Sequence, residues 1–185
     1  VLLAVGAPGV PSLKWVDSWR LGPDIAWEPT DANWHFIPAQ ARNVAARWHL
    51  CERTLCDADP VLLRGLPQNE VNVGAWVAAM AGGAFFLSDD LRDVEAERSA
   101  WGVDPARVAL GIGEVPAVPQ DLFIDTPPRT LASIINDIVR GDTSHALPSR
   151  WLLPSGETLR VNWLETTQTA DEGNLSPRTA VVVSD

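Results

Sequence analysis

The sequence predicts an α/β fold in which parallel β/α units are followed by a smaller β-rich module. Three observations carry the prediction. Over residues 1–112, short apolar runs alternate with amphipathic segments through short connections, the arrangement of right-handed parallel β/α units. After residue 112 the texture changes to a Pro-bearing stretch, 'EVPAVPQDLF'. Further on, 'RWLLPSGETLRVNW' has the turn-flanked alternation of a β-hairpin. The expected division is therefore 1–112 and 113–185.

Residues 1–5 form a continuous apolar run, the pattern of a buried parallel strand, and 13–20 supply a second, shorter strand. A polar, Trp-bearing loop spans 22–36. Ala41, Val44, Ala45, Trp48, Cys51 and Leu55 then recur at three-to-four spacing, which predicts an amphipathic helix beginning near Pro38. 'PVLLR' (60–64) reads as a strand. Pro67 opens the next helix, and Gly82–Gly83 closes it. 'AFFL' (84–87) is a further strand, followed directly by 'SDDL' and a charged helix. In the second module, Leu131, Ile134, Ile135 and Ile138 mark a helix. Leu159, Val161 and Trp163 alternate with Thr158, Arg160 and Asn162, and 'TAVVV' (179–183) is a candidate partner strand.

The net charge of −10 argues against nucleic acid and anionic membrane as partners, since neither would be attracted to such a surface. A neutral or small ligand fits better. No apolar run reaches the roughly 18 residues of a membrane span. No signal or transit segment is visible, and a cytoplasmic location is expected. Cys51 and Cys56 are the only cysteines, and their placement on and just past a helix predicts reduced core thiols. A metal site built from His49, Cys51, Cys56 and Asp57 is not expected: His49 and Cys51 lie on different sides of a helix, and the spacing fits no common zinc pattern. No organic cofactor is implied. Nine Trp offer flat faces on which sugar rings stack, although most are expected simply to fill core.

The stretch 'KWVDSWRLGPDIAW' (14–27) places Asp24 behind a Pro bend, among Trp15, Trp19 and Trp27. Asp24, Ser88, Asp89 and Asp90 follow strand-like runs, whereas Asp57 and Asp59 precede one. Loops after the strands are where β/α proteins keep their chemistry. An Asp after Pro is also an ordinary turn residue, so this dipeptide alone does not decide its role.

Three blocks together point further. 'GAPGVPSLKWVDSWRLGPDIAW', 'ARNVAARWHLCERTLCDADPVLLRG' and 'GGAFFLSDDL' occur in order over about residues 1–100. They resemble successive blocks of the α-galactosidase (melibiase) group of glycoside hydrolases, clan D, most nearly the family 36 type. The resemblance implies the C-terminal half of a (β/α)8 TIM barrel followed by part of a β-rich domain. It also implies that the chain starts at the fifth barrel strand, with the nucleophilic aspartate of the fourth lying upstream of Val1. A complete barrel takes about 250 residues. On this basis an isolated chain is expected to expose an apolar edge and to self-associate.

By the same match, Asp24 stands at the acid/base position in R-x-x-P-D, and Arg20 at the position that hydrogen-bonds sugar hydroxyls. Trp19, Trp27 and Ile25 would supply the partly apolar surroundings that keep an acid protonated. Val5 stands where the family often has Cys near the sugar, and Val5 and Gly6 belong to the loop that reads the substituent at C2. Ser88 and Asp89 follow the eighth strand. Trp34 and His35 are further candidates to line the pocket. Blander roles are expected elsewhere: Asp17 as a partner of Arg20, Asp57 and Asp59 as caps of a helix-to-strand turn, and Asp90 as a helix N-cap. Two function classes follow. One is a retaining glycosidase acting on an oligosaccharide or glycoside with a terminal α-linked sugar. The other is a non-catalytic carbohydrate-binding protein on a degenerate barrel.

Overall fold

Leu3–Ala4 (β1), Ser18–Arg20 (β2) and Leu55–Asp57 (β3) form a parallel sheet in the order β1-β2-β3. The structure is a computed structural model that describes residues 1–7, 9–26, 33–122, 147–170 and 173–184. The register sets Ala4 beside Trp19, Trp19 beside Cys56, and Arg20 beside Asp57. Side chains alternate across a strand. Trp19 and Cys56 therefore share one face, while Arg20 and Asp57 share the other at the carboxyl ends of their strands. The connections are the short helix Gly9–Ser12 (α1) and the long helix Phe36–Cys51 (α2). The predicted stripe is visible in α2, where Ala41, Val44, Ala45 and Cys51 are buried, but the helix begins two residues before Pro38 and stops before Leu55, which enters β3.

Several expectations for this part are corrected. The run 1–5 pairs only at Leu3–Ala4 and leaves Val1, Leu2 and Val5 exposed, the second strand is 18–20 and not 13–20, and 84–87 is not a strand but one bridge at Leu87. The strand after α2 is 55–57, not 60–64. Residues 60–64 make one parallel bridge, Val61 to Leu87, with Val61 N–H donating to the Phe86 carbonyl at 2.8 Å. Pro60 removes a donor from this stretch. Beyond the bridge, the Asp89 carboxylate replaces a backbone partner, accepting from Leu63 N at 2.7 Å and Arg64 N at 3.3 Å. The cysteines are not free thiols: Cys51 and Cys56 form a disulfide, with Cα atoms 5.3 Å apart. The last residue of α2 and the middle of β3 are thereby tied together. The turn between them brings the two positions closer than their sequence setting suggests.

Gln68–Met80 (α3) begins after an extended Pro67 and ends before Gly82, whose φ of +67° is the left-handed conformation suited to a helix terminus. Buried residues run all round it, among them Val71, Val73, Ala75, Val77, Ala79 and Met80. It packs against α2, Ala96–Gly102 (α4), Pro105–Gly111 (α5) and a strand of the second sheet. The chain after 'SDD' turns before it coils. Asp90 accepts from its neighbour Arg92 and α4 starts only at Ala96, so Asp90 is a turn residue and not the predicted helix cap. Asp104 is a true N-cap, accepting from Ala106 N and Arg107 N ahead of α5.

The second sheet is antiparallel, in the order Val118–Pro119 (β4), Arg150–Leu152 (β5), Thr158–Asn162 (β6) and then Thr179–Val183 (β9). The predicted hairpin is β5–β6, and 'TAVVV' pairs with β6 over its full length. The Pro-bearing stretch after residue 112 contains β4, with Ala117 N–H bonded to the Met80 carbonyl at 2.9 Å. Gln168–Ala170 (β7) and Gly173–Leu175 (β8) make a separate two-stranded ribbon. All of β6 is buried on both faces. Asn162 belongs there because its amide donates to the Thr166, Leu175 and Ser176 carbonyls. Trp151 and Trp163 both donate to the Pro148 carbonyl from within the core. Contacts cross between the two parts of the chain: Arg178 pairs with Glu70, Asn69 donates to the Pro177 carbonyl at 3.2 Å, and Trp34 lies 6.5 Å from Trp163. The helix predicted around 131–138 lies outside the described residues, as does Trp27.

Candidate functional site

The in-register placement of Arg20 beside Asp57 builds a charged cluster at the carboxyl ends of β2 and β3. Arg20 is largely buried, with 13 % of its side chain exposed, and it faces three carboxylates. Its Nε donates to Asp57, and its Nη1 donates to Asp59 and, at 3.1 Å, to Asp24. The carboxylates differ sharply in exposure: Asp57 has none, Asp59 6 %, and Asp24 46 %. One cation therefore neutralises two buried anions and also touches a third that faces solvent.

The buried pair is fully engaged. Asp57 gives its other oxygen to the Asp59 amide at 2.8 Å. Asp59 gives its other oxygen to the Ile25 amide at 2.6 Å. Asp59 also has a φ of +70°, a left-handed conformation that Asp tolerates better than most residues. Burial holds the Asp59 carboxyl above the ordinary carboxylate range. The Ile25 amide and Arg20 oppose this shift, and the charges of Asp57 and Asp24 add to it. Burial acts to lower the proton affinity of Arg20, but Asp57, Asp59 and Asp24 outweigh it, and the guanidinium titrates above its usual range.

Asp24 opens onto a cleft of about 550 Å³. Val5, Gly6, Trp19 and Arg20 line it with Asp24, together with Arg47 from α2. Five of the residues expected to form the site thus meet in one concavity, although they come from separate strand ends. Trp19 lies against this region with only 6 % exposure and packs into the core. Arg47 was not foreseen. It sits on the helix turn above Asn43, whose side-chain oxygen accepts from it at 2.7 Å, and its only sequence signal was its position on the polar side of α2.

Other expected residues lie elsewhere. Asp89 is a structural tie: its side chain is 1 % exposed and pairs with Arg64 at 2.9 Å while holding the 63–64 backbone. Ser88 is near Arg64, and neither Ser88 nor Asp89 lines the cleft. Trp34 packs against Trp163 and under Arg178, and His35 precedes α2; neither faces the cleft. Asp17 accepts from the Leu2 amide at 2.7 Å and does not pair with Arg20. Asp57 and Asp59 belong to the Arg20 cluster and do not cap a helix-to-strand turn. Among the described residues, no cluster of His, Cys, Asp and Glu has the arrangement of a metal site. No helix among them is long and apolar enough to cross a membrane.

Comparison with protein-family models gives no match, and comparison with curated proteins gives none. Among solved structures, the chain is similar to a proposed alpha-galactosidase from Bacteroides fragilis, with a TM-score of 0.56 at 14 % sequence identity. The similarity covers 94 % of this chain and 42 % of that protein. At this identity the likeness extends to the mixed α/β fold. The chain spans about two fifths of the length of the protein it resembles.

Proposed function

We propose that the protein carrying this chain is a retaining glycoside hydrolase of α-galactosidase type, acting on a terminal α-linked sugar. Residues 1–112 would be the C-terminal half of a (β/α)8 barrel and 113–185 a β-rich module. The observation that carries this reading is the cleft, where Asp24 meets Val5, Gly6, Trp19 and Arg20 at the carboxyl ends of parallel strands. Asp24 is the exposed member of its cluster and can reach a substrate oxygen. It would protonate the leaving oxygen and then activate water, as the acid/base of a retaining pair does. The Nη2 of Arg20, which has no partner among the described residues, is left to meet a sugar hydroxyl. A retaining mechanism needs a second carboxylate about 5–5.5 Å from the first. Asp57 and Asp59 are poor candidates, because both oxygens of each are already bonded. The nucleophile would come from outside the described residues.

One observation favours a second reading for the chain by itself: Asp24 is the sole carboxylate in the cleft lining among the described residues. A carbohydrate-binding role without catalysis needs no second acid. Asp24→Asn in the protein that carries the chain separates the two. The expected result is loss of turnover for galactosyl disaccharides, a smaller loss for activated aryl galactosides, and partial rescue by azide. A basic leaving oxygen needs the proton and an aryl oxygen does not. Binding without turnover in the unsubstituted protein supports the second reading. Leaving-group-independent loss without azide rescue makes Asp24 structural.

A further inference from the structure

We propose that Asp59 is the positioning residue of the cleft, fixing Arg20 and the Asp24 turn together from the end of the neighbouring strand. The inference rests on the reading of Asp24 as the acid/base. Its own basis is the way one carboxylate is divided. One oxygen of Asp59 takes the same guanidinium nitrogen that holds Asp24. The other takes the amide of Ile25, the residue directly after Asp24, at 2.6 Å. Asp24 is thereby held from both sides: through its side chain by way of Arg20, and through the backbone by way of Ile25.

Asp59 is in turn aimed by Asp57, which accepts its amide and stabilises its left-handed backbone. Asp57 also holds Arg20 through Nε, so the guanidinium cannot rotate without breaking both contacts. The Asp-x-Asp spacing has a physical reason here. Asp57 ends the strand in register with Arg20, and a left-handed residue two positions later turns the second carboxylate back toward the same arginine. Asp59 itself does not act on substrate: it is 6 % exposed, has no oxygen to spare and does not line the cleft.

Two variants test this without straining the backbone. Asp59→Gly accepts a positive φ and removes the carboxylate, while Asp59→Asn tolerates that φ and keeps an oxygen for the Ile25 amide. In the protein carrying the chain, Asp59→Gly is expected to lower kcat for a galactosyl disaccharide on the order of 10²-fold, the scale of a small misplacement of a catalytic group. KM should change by less than about threefold, and Asp59→Asn should recover part of the loss. The charged groups around Asp24 among the described residues are Arg20, Asp57, Asp59 and Arg47. The loss should be smaller for an activated aryl galactoside, whose leaving oxygen needs no proton. A residue that only supports the fold would reduce the active fraction equally for both substrates; that result overturns the proposal.

Amide exchange in the protein carrying the chain gives a readout independent of turnover. Asp59→Gly should speed exchange at Ile25 by about tenfold or more, with the α3 amides unchanged. If the unsubstituted protein turns over no glycoside while Asp59→Gly still speeds exchange at Ile25, the proposed function is refuted and the positioning role is retained. Unchanged exchange at Ile25 rejects the positioning role.

Discussion

Replacing Arg20 by Met removes the cation that pairs with Asp57, Asp59 and Asp24, while keeping an unbranched side chain along the same path. Two of those carboxylates are essentially out of water, so the loss resembles the breaking of a buried ion pair, which costs about 3–5 kcal/mol. Asp24, being 46 % exposed, adds little. Domains of this kind unfold with about 5–15 kcal/mol, so at least about a fifth of the stability is at stake. With a urea dependence near 3 kcal/mol per molar, the midpoint should fall by about 1–2 M at pH 7. Tryptophan fluorescence will follow the transition, since Trp19, Trp151 and Trp163 are buried. The pH dependence carries a sign. Burial already holds the Asp59 carboxyl above the ordinary range, and Arg20 opposes that shift, so without Arg20 the folded state binds a proton at Asp59 more readily than the unfolded chain does. The penalty is then full at neutral pH and shrinks as pH falls through the raised value toward the ordinary carboxylate range. A loss below about 1 kcal/mol at pH 7, or a penalty that grows on acidification, would refute the neutralising role assigned to Arg20.

Two further outcomes follow from the geometry. Alkylation without reductant should leave Cys51 and Cys56 unmodified, and replacing both by Ala should cost about 2 kcal/mol for so short a loop. Ready alkylation in the native protein would show free thiols and favour the cytoplasmic location expected from the sequence, where disulfides are rare. Gly83→Ala should destabilise by about 1–3 kcal/mol, because its Cβ would stand 2.2 Å from the Cys56 nitrogen in β3, where backbone cannot give way. A neutral effect on the urea midpoint would mean that residue 83 does not lie against that strand.

Much of this arrangement was legible because helices advertise themselves. The stripe in α2, the Pro67 start and Gly82 stop of α3, and the alternation of the β5–β6 hairpin are local patterns that tertiary packing reinforced. The strand before Asp57 was missed because 'LCD' is three residues long and contains a buried acid, whereas 'PVLLR' beside it has the stronger apolar run. That shift of one segment concealed the role of Asp57 and Asp59. Read as residues preceding a strand, they look like turn caps; placed at a strand's carboxyl end, they meet Arg20. Arg20 itself was identified through motif resemblance, but its three partners depend on parallel register, which no local pattern encodes. Asp89 was misjudged for a related reason: an acid after a strand resembles a ligand-binding group whether it faces the cleft or substitutes for a missing ladder partner.

The all-round burial of α3 bears on how the chain can be taken apart. Its cover comes from α2, α4 and α5 on one side of the change in texture at residue 112 and from β9 on the other. Dividing the gene between codons 112 and 113 would strip one apolar flank from α3 and separate Arg178 from Glu70. Neither product would keep the contacts that now hide its inner surface. The boundary that composition draws is therefore a poor place for a scissor cut, and fusion or truncation work should keep α3 and β9 on the same polypeptide.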